Sequence, residues 1–211
     1  MTAKTKSIFI TLEGIEGVGK STALQFLEKF FQEQNLDYVL TREPGGTEIA
    51  ESIRQLILEH HTESMASDTE LLLMFASRAQ HIAKVIKPAL AASKIVLSDR
   101  FTDATYAYQG GGRGISFDRI ATLESWVQGH LQPDLTILLD APIEVGLNRI
   151  LSRGAKDRIE QEKIEFFHRV REAYLQRAEQ FGARFKIIDA TQTIAKVQAE
   201  LRTTISHYIS V

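Results

Sequence analysis

This sequence predicts an α/β fold of three layers, α/β/α, built on a five-stranded parallel sheet. Two observations carry the prediction: five short apolar runs alternate with segments of helical period, and each run ends in charged or glycine residues. The runs cover residues 8–12, 38–41, 95–98, 135–139 and 185–188. Their ends read Glu13-Gly14, Arg42-Glu43-Pro44-Gly45-Gly46, Asp99-Arg100, Asp140 and Asp189-Ala190. Ligands of such sheets collect beyond the carboxyl ends of the strands, so one rim is expected to carry the chemistry. At 211 residues, one domain spanning 1–211 has enough chain for a substantial core.

The first strand, IFITL, is β-branched and apolar and leads into GIEGVGKS, which matches G-x-x-x-x-G-K-[ST]. Ala23, Leu24, Leu27, Phe30 and Phe31 follow at helical spacing. Strand, glycine loop and helix together turn backbone N–H groups and a helix N-terminus toward an anion, which predicts phosphate binding. The loop residues are Gly14, Ile15, Glu16, Gly17, Val18, Gly19, Lys20, Ser21 and Thr22. Glu16 is an oddity, because a carboxylate in a phosphate cradle is repelled unless it meets a hydroxyl or a cation.

After the second strand comes TREPGG, with Arg42. The next helical pattern, DTELLLMFASRAQHIAKVI, opens with Ser67-x-x-Glu70, a capping-box signature. Leu71, Phe75, Arg78, Ile82 and Val85 lie three or four residues apart, so Arg78 interrupts an apolar stripe. Either it snorkels to water or that face lines a pocket. Arg100 ends the third strand directly, as an ion pair with Asp99 or as a ligand for an anion. FTDATYAYQGGGRG follows, and its three glycines predict a flexible surface turn beside Tyr108 and Gln109. Farther on, NRILSRGAKDRIEQE places Arg149, Arg153 and Arg158 so that one helix ends near Arg153-Gly154 and another begins near Arg158. The segment, about 149–160, is either a solvated helix pair or a mobile lid whose arginines cover a γ-phosphate.

The net charge of −2 gives no electrostatic case for general nucleic-acid or membrane binding. With no cysteine, disulfides and thiolate metal sites are excluded, which suits a cytoplasmic location. The leading MTAKTKS is too short and polar for a secretory signal, and no apolar run approaches membrane length. A regulatory GTPase would need N-K-x-D and D-x-x-G segments, which are missing. What remains is a small phosphotransferase, with a non-catalytic nucleotide-binding switch as the alternative from another class.

The order GIEGVGKST, TREPGGT, LLLMFASRAQH, SDRFTDATYAYQGGGRG, PDLTILLD, SRGAKDRIEQE and IDAT closely resembles bacterial thymidylate kinases, over nearly the whole chain. The resemblance implies a P-loop NTPase fold and transfer of the γ-phosphoryl group of ATP, with Mg²⁺, to dTMP. It implies Lys20 and the loop N–H groups on ATP phosphates, Ser21 near the metal, and Ala190-Thr191 toward adenine. For dTMP it implies Arg78 at a base carbonyl, Thr105 and Gln109 at the base edge, and Tyr108 against a ribose 2′-hydroxyl. Arg100 and Arg42 would take the phosphate, with Asp99 in the metal and phosphate region and Glu16 near the 3′-hydroxyl and metal-bound water. Relatives place a stacking phenylalanine four residues before the pocket arginine; here that position is Met74, and Phe75 is one residue on. Phe101 also replaces a frequent tyrosine. One branch of the family carries a catalytic arginine at the position of Gly17, so here the lid is expected to supply the cation, Arg153 first, then Arg149 and Arg158. Family members are commonly homodimers. Another nucleoside or nucleoside-monophosphate kinase on the same scaffold is the nearest competing reading.

Overall fold

The structure, a computed structural model, describes residues 7–146 and 157–209. Five parallel strands, β1 (Ile8–Glu13), β2 (Tyr38–Arg42), β3 (Ile95–Asp99), β4 (Leu135–Asp140) and β5 (Phe185–Asp189), form one sheet in the order β2-β3-β1-β4-β5. Each apolar run of the sequence became a strand, extended by one polar residue at its carboxyl end. Every residue of β1 is buried, whereas the edge strands β2 and β5 are half-exposed, as their mixed composition dictates. From central β1 the chain fills one side of the sheet with β2 and β3, then crosses to β4 on the other. A crevice opens where the order reverses, at the carboxyl end of β1.

The period-two alternation of β1 sorts its side chains between the faces. Ile8, Ile10 and Leu12 join the larger core, with α1 (Lys20–Glu33), α7 (Ile164–Gln180) and α8 (Ile194–Ile209). Phe9 points to the opposite core, where it meets Ile82, Ile86 and Phe101. That second layer contains α2 (Glu48–Leu58), α3 (Ser67–His81), α4 (Lys87–Ala91) and α6 (Phe117–Gln128); the short α5 (Thr102–Thr105) follows β3 directly.

Four expectations need correction. Ser67 is the first residue of α3 and does not cap it: Ala66 holds the cap position, and Glu70, instead of folding back, is buried against residues from other elements. The apolar stripe of α3 continues to Ile86 rather than Val85, because a π-helical turn over Ile82–Ile86 adds a residue and shifts the phase. The helix after the expected lid begins at Ile164, not near Arg158, since residues 158–162 form turns.

The fourth concerns the triple glycine. Gly110 to Gly112 are not a surface turn; they close a π-helical segment, Tyr106–Gly112, that packs hard against α7. A Cβ on Gly111 would lie 2.6 Å from the Arg169 carbonyl oxygen and 2.7 Å from Ala173 Cβ. Glycine here serves close approach of two helices rather than freedom of a turn. Gly111→Ala is expected to destabilise the fold by about 2–3 kcal/mol through overpacking. Thermal denaturation should show the midpoint falling by roughly 4–12 °C for a chain of this size.

Candidate active site

A cavity of about 270 Å³ lies over the carboxyl ends of β1 and β3. Its floor is the glycine loop. The loop is tight because Gly17, at φ 76°, faces the Gly146 backbone so closely that any Cβ would strike its carbonyl oxygen. No arginine fits there, which agrees with the residue the sequence carries. Lys20 begins α1, is buried, and donates from Nζ to the carbonyls of Gly14 and Ile15, both at 2.9 Å. Burial, reinforced by the charge of Arg100, lowers its pKa to about 8. Gly19, Glu16 and Ser21 line the cavity beside it. Ile15 and Val18 instead turn down into the core, and Thr22 faces solvent.

The wall opposite is built from β3 and the segment after it. Arg100 adopts a left-handed backbone, φ 68°, and its N–H donates to the Leu12 carbonyl at 3.0 Å. This turn swings its side chain over the glycine loop, where Nη2 donates to Glu16 Oε1 at 2.8 Å and to Gly14 O at 3.4 Å. The Tyr108 hydroxyl donates to Glu16 at 2.7 Å. The carboxylate that looked out of place in a phosphate cradle therefore meets both a hydroxyl and a cation. Asp99 Oδ1 is buried without a hydrogen bond, its nearest cation being Arg100 at 3.9 Å.

The deep end holds Arg78, almost fully buried. Its Nε donates to Glu43 Oε2 at 2.7 Å, and Nη2 donates to Thr105 Oγ1 and to the Phe101 carbonyl. Glu43 also meets His81 Nδ1 at 2.9 Å. Nη1 of Arg78 and Oε1 of Gln109 are both buried without a partner, and both residues line the cavity. Thr105, Tyr108 and Met74 line it as well, whereas Phe75 packs behind the guanidinium, 4.8 Å from ring centroid to Cζ, among Leu71, Tyr106 and Ile120. Arg78 thus does not snorkel: it faces a pocket.

Other expected residues lie elsewhere. Arg42 forms a half-exposed pair with Glu51, Nη2 to Oε2 at 2.8 Å, and does not line the cavity. Arg54, which sequence reasoning passed over, does line it, donating to the Pro44 carbonyl at 3.1 Å. Its signal was available: Ala50, Arg54 and Ile57 fall on the buried stripe of α2, the same break in pattern that marked Arg78. Burial, together with repulsion from Arg42 and Arg100, lowers the Arg54 pKa. Arg158 donates to Glu70 at 2.5 Å and to the Ile57 carbonyl at 2.7 Å, so it is bound to protein groups and does not line the cavity, although Asp157, Ile159 and Glu160 beside it do. Arg149 and Arg153 lie outside the described residues. Asp157, whose carboxylate accepts the N–H groups of Ile159 and Glu160 at 2.9 Å, forms part of the cavity edge. Ala190 is buried after β5, its N–H donating to Asp140 O, and Thr191 is exposed; neither lines the cavity. Among the described residues, no group of three or more His, Cys, Asp or Glu is placed to hold a metal ion.

With this geometry in view, similarity to known proteins is decisive. The thymidylate kinase family model matches residues 12–201. The chain belongs to the thymidylate kinase family. It is 60% identical over 194 residues to the thymidylate kinase of Ectopseudomonas mendocina (strain ymp), covering 92% of each chain. It is 62% identical over 191 residues to that of Pseudomonas entomophila (strain L48), covering 90% of this chain and 91% of the relative. The crystal structure of the thymidylate kinase from Ehrlichia chaffeensis superposes with a TM-score of 0.76 at 35% identity, covering 94% of this chain and 98% of that one. The fold is that of P-loop NTPases, and the protein is an enzyme, a kinase.

Beneath the thymidylate kinase site lies a titratable group with a measurable consequence. Glu13 is fully buried, accepting the Phe101 N–H at 2.7 Å and the Tyr174 hydroxyl at 2.8 Å. Burial, then the charge of Asp103, raises its pKa to about 8. The native state therefore holds a proton that the unfolded chain releases near 4.5, so this contribution to stability is complete below about 4.5 and is lost as pH rises through about 8. Glu13→Gln, which cannot ionise, is expected to lose less stability than the parent between about pH 5 and 8, the interval from the unfolded to the folded pKa. Denaturation midpoints across that range should diverge in favour of the variant; parallel curves would contradict the assignment.

Proposed function

We propose that this enzyme transfers the γ-phosphoryl group of ATP to dTMP, giving dTDP and ADP, as a step toward dTTP. The observation that carries the reading is the meeting of two cations on one carbonyl: Lys20 Nζ and Arg100 Nη2 both donate to Gly14 O. One belongs to the phosphate loop and the other to the opposite wall. Two nucleotides gripped by these groups would meet phosphate to phosphate, as this reaction requires.

The acceptor lies between Arg100, Arg54 and Arg78. Arg54 has the more direct claim on its phosphate, because Arg42 is already paired with Glu51. Arg78 donates to a base carbonyl, Gln109 and Thr105 face the base edge, and Met74 rather than Phe75 offers the surface for stacking. Tyr108 crowds the position of a 2′-hydroxyl. A phosphate oxygen of dTMP attacks the γ-phosphorus, and the bond to the β–γ bridging oxygen breaks as ADP leaves. No strong base is needed, because that oxygen is already anionic. Catalysis is alignment and charge neutralisation, in which Arg153 and Arg149 are assigned the transition-state cation. Arg158, with its guanidinium on Glu70, is assigned a positioning role behind the lining instead.

Ser21 and Asp99 suit Mg²⁺. Oxygen donors match its preference, Asp99 Oδ1 is buried without a hydrogen bond, and Mg²⁺ keeps much of its shell as water and phosphate oxygens. When bound, the ion neutralises phosphate charge. Glu16, held by Arg100 and Tyr108, sits within reach of that region.

An ADP-release assay over dTMP, dUMP, dCMP, UMP and thymidine is expected to favour dTMP. A preference for thymidine would overturn the role given to Arg100, and ATP binding without acceptor-dependent ADP release would make the protein a switch. Lys20→Ala should remove most activity. Arg153→Ala should lower kcat with little change in dTMP affinity, and the reverse pattern would contradict its role.

We further assign a homodimer. The adjacent helices α2, α3 and α6 expose Leu56, Leu72 and Trp126, the last 81% accessible. Large apolar side chains exposed on adjacent helices suit a partner surface. Trp126→Glu is expected to shift the protein toward monomer in sedimentation velocity, at unchanged secondary structure by circular dichroism.

A further inference from the structure

Gln109 has an amide whose two ends differ only in what they can donate. One end, Nε2, lies 2.8 Å from Glu70 Oε1; the other, Oε1, is buried and unpartnered, in a residue that lines the cavity. An ionised carboxylate only accepts, so while Glu70 is charged the amide has one permitted orientation, nitrogen to Glu70 and oxygen to the cavity. Glu70 in turn is held ionised despite being 1% exposed. Arg113 straddles it, Nε to Oε1 and Nη2 to Oε2, both at 3.2 Å, and Arg158 donates to Oε2 at 2.5 Å. Burial opposes the charge, but Arg113 and the three sets of hydrogen bonds outweigh it and hold the carboxyl below its usual range.

In the same deep end of the pocket, Arg78 is fixed by Glu43, Phe101 and Thr105, and only Nη1 is left over. The cavity thus presents one fixed donor and one fixed acceptor. A pyrimidine with O4 and N3–H offers the complement; cytosine, with N4–H₂ and an unprotonated N3, offers the reverse at both points.

We infer that Glu70 is a specificity-determining positioning residue: by locking the Gln109 amide, it makes the pocket select the imide edge of thymine or uracil against cytosine. The inference rests on the dTMP kinase reading. It also gives Arg158, within the expected lid segment, a part in base selection rather than in the transition state. Glu70 touches no substrate in this scheme; it acts through Gln109.

Glu70→Gln is the test, because the new amide both donates and accepts and so lets Gln109 turn over. The ratio of kcat/KM for dTMP to that for dCMP is expected to fall at least about tenfold, given what reversed hydrogen-bond polarity costs in a buried site. The fall should come chiefly through the acceptor KM, with ATP KM little changed. The double variant Glu70→Gln/Gln109→Glu restores an acceptor-only group facing the base and is expected to recover much of the ratio. A merely structural role would lower both acceptors alike, leave the ratio intact and find no rescue in the swap; that result overturns the inference. If Glu70→Gln does not fold, Glu70→Asp, which keeps a carboxylate for Arg113 and Arg158 but withdraws it from the Gln109 amide, reads the same contrast. A fallen ratio supports the inference, and a lowered kcat with the ratio intact overturns it. Failure of the parent enzyme to phosphorylate dTMP would instead overturn the underlying reading, so the two failures are distinct.

Discussion

The structure depends on positive charge held where it is poorly neutralised. Lys20, Arg54, Arg78 and Arg100 come from four different elements and surround one cavity, and Lys20 and Arg54 are depressed in pKa by burial and by neighbouring cations. Such an arrangement opposes folding unless other groups offset it, because a buried charge without a full partner is costly. The molecule offsets it partly through Glu16 on Arg100 and Glu43 on Arg78. The remainder is left for anions to supply. A kinase that joins two phosphates needs this unfinished balance, since phosphate charge arriving in the cavity completes it and gains affinity there.

The carboxylates around the cavity differ in what they do with charge. Glu16 shields Arg100 at the spot where the acceptor phosphate is proposed to bind, so an arriving phosphate would compete with it. Glu43 and Glu70 do not face that competition. Glu70 lies behind the lining and Glu43 within it, and each fixes a neighbour, Glu43 holding Arg78 and Glu70 holding Gln109. Buried charged groups are a poor source of stability but an effective source of orientation. Here they convert flexible side chains into a rigid hydrogen-bonding edge.

Much of this was legible in the sequence, where a local pattern had one physical cause. The strands and phosphate loop were, because β-branched runs ending in glycine admit few alternatives. Arg78 was, because a guanidinium in an apolar stripe must be explained. Arg54 carried the same mark and was missed, as its helix drew less attention than the motifs around it. Glu70 was misread because Ser-x-x-Glu fits a capping box locally, while its actual partners lie about forty to ninety residues away and become neighbours only through the fold. Gly110 to Gly112 were misread for a related reason: glycine satisfies a flexible turn and a crowded helix contact equally, and only α7 on the other side decides between them. The π-helical turn at Ile82–Ile86 could not be seen at all, since one inserted residue leaves the apolar spacing within helical tolerance.

The left-handed turn at Arg100 has a metrological consequence. Its N–H is bonded to Leu12 of the neighbouring strand, so one wall of the cavity is riveted to the strand that carries the glycine loop. The offset between them is a lattice constant of the sheet, about 4.8 Å from strand to strand, and does not depend on loops or helices settling correctly.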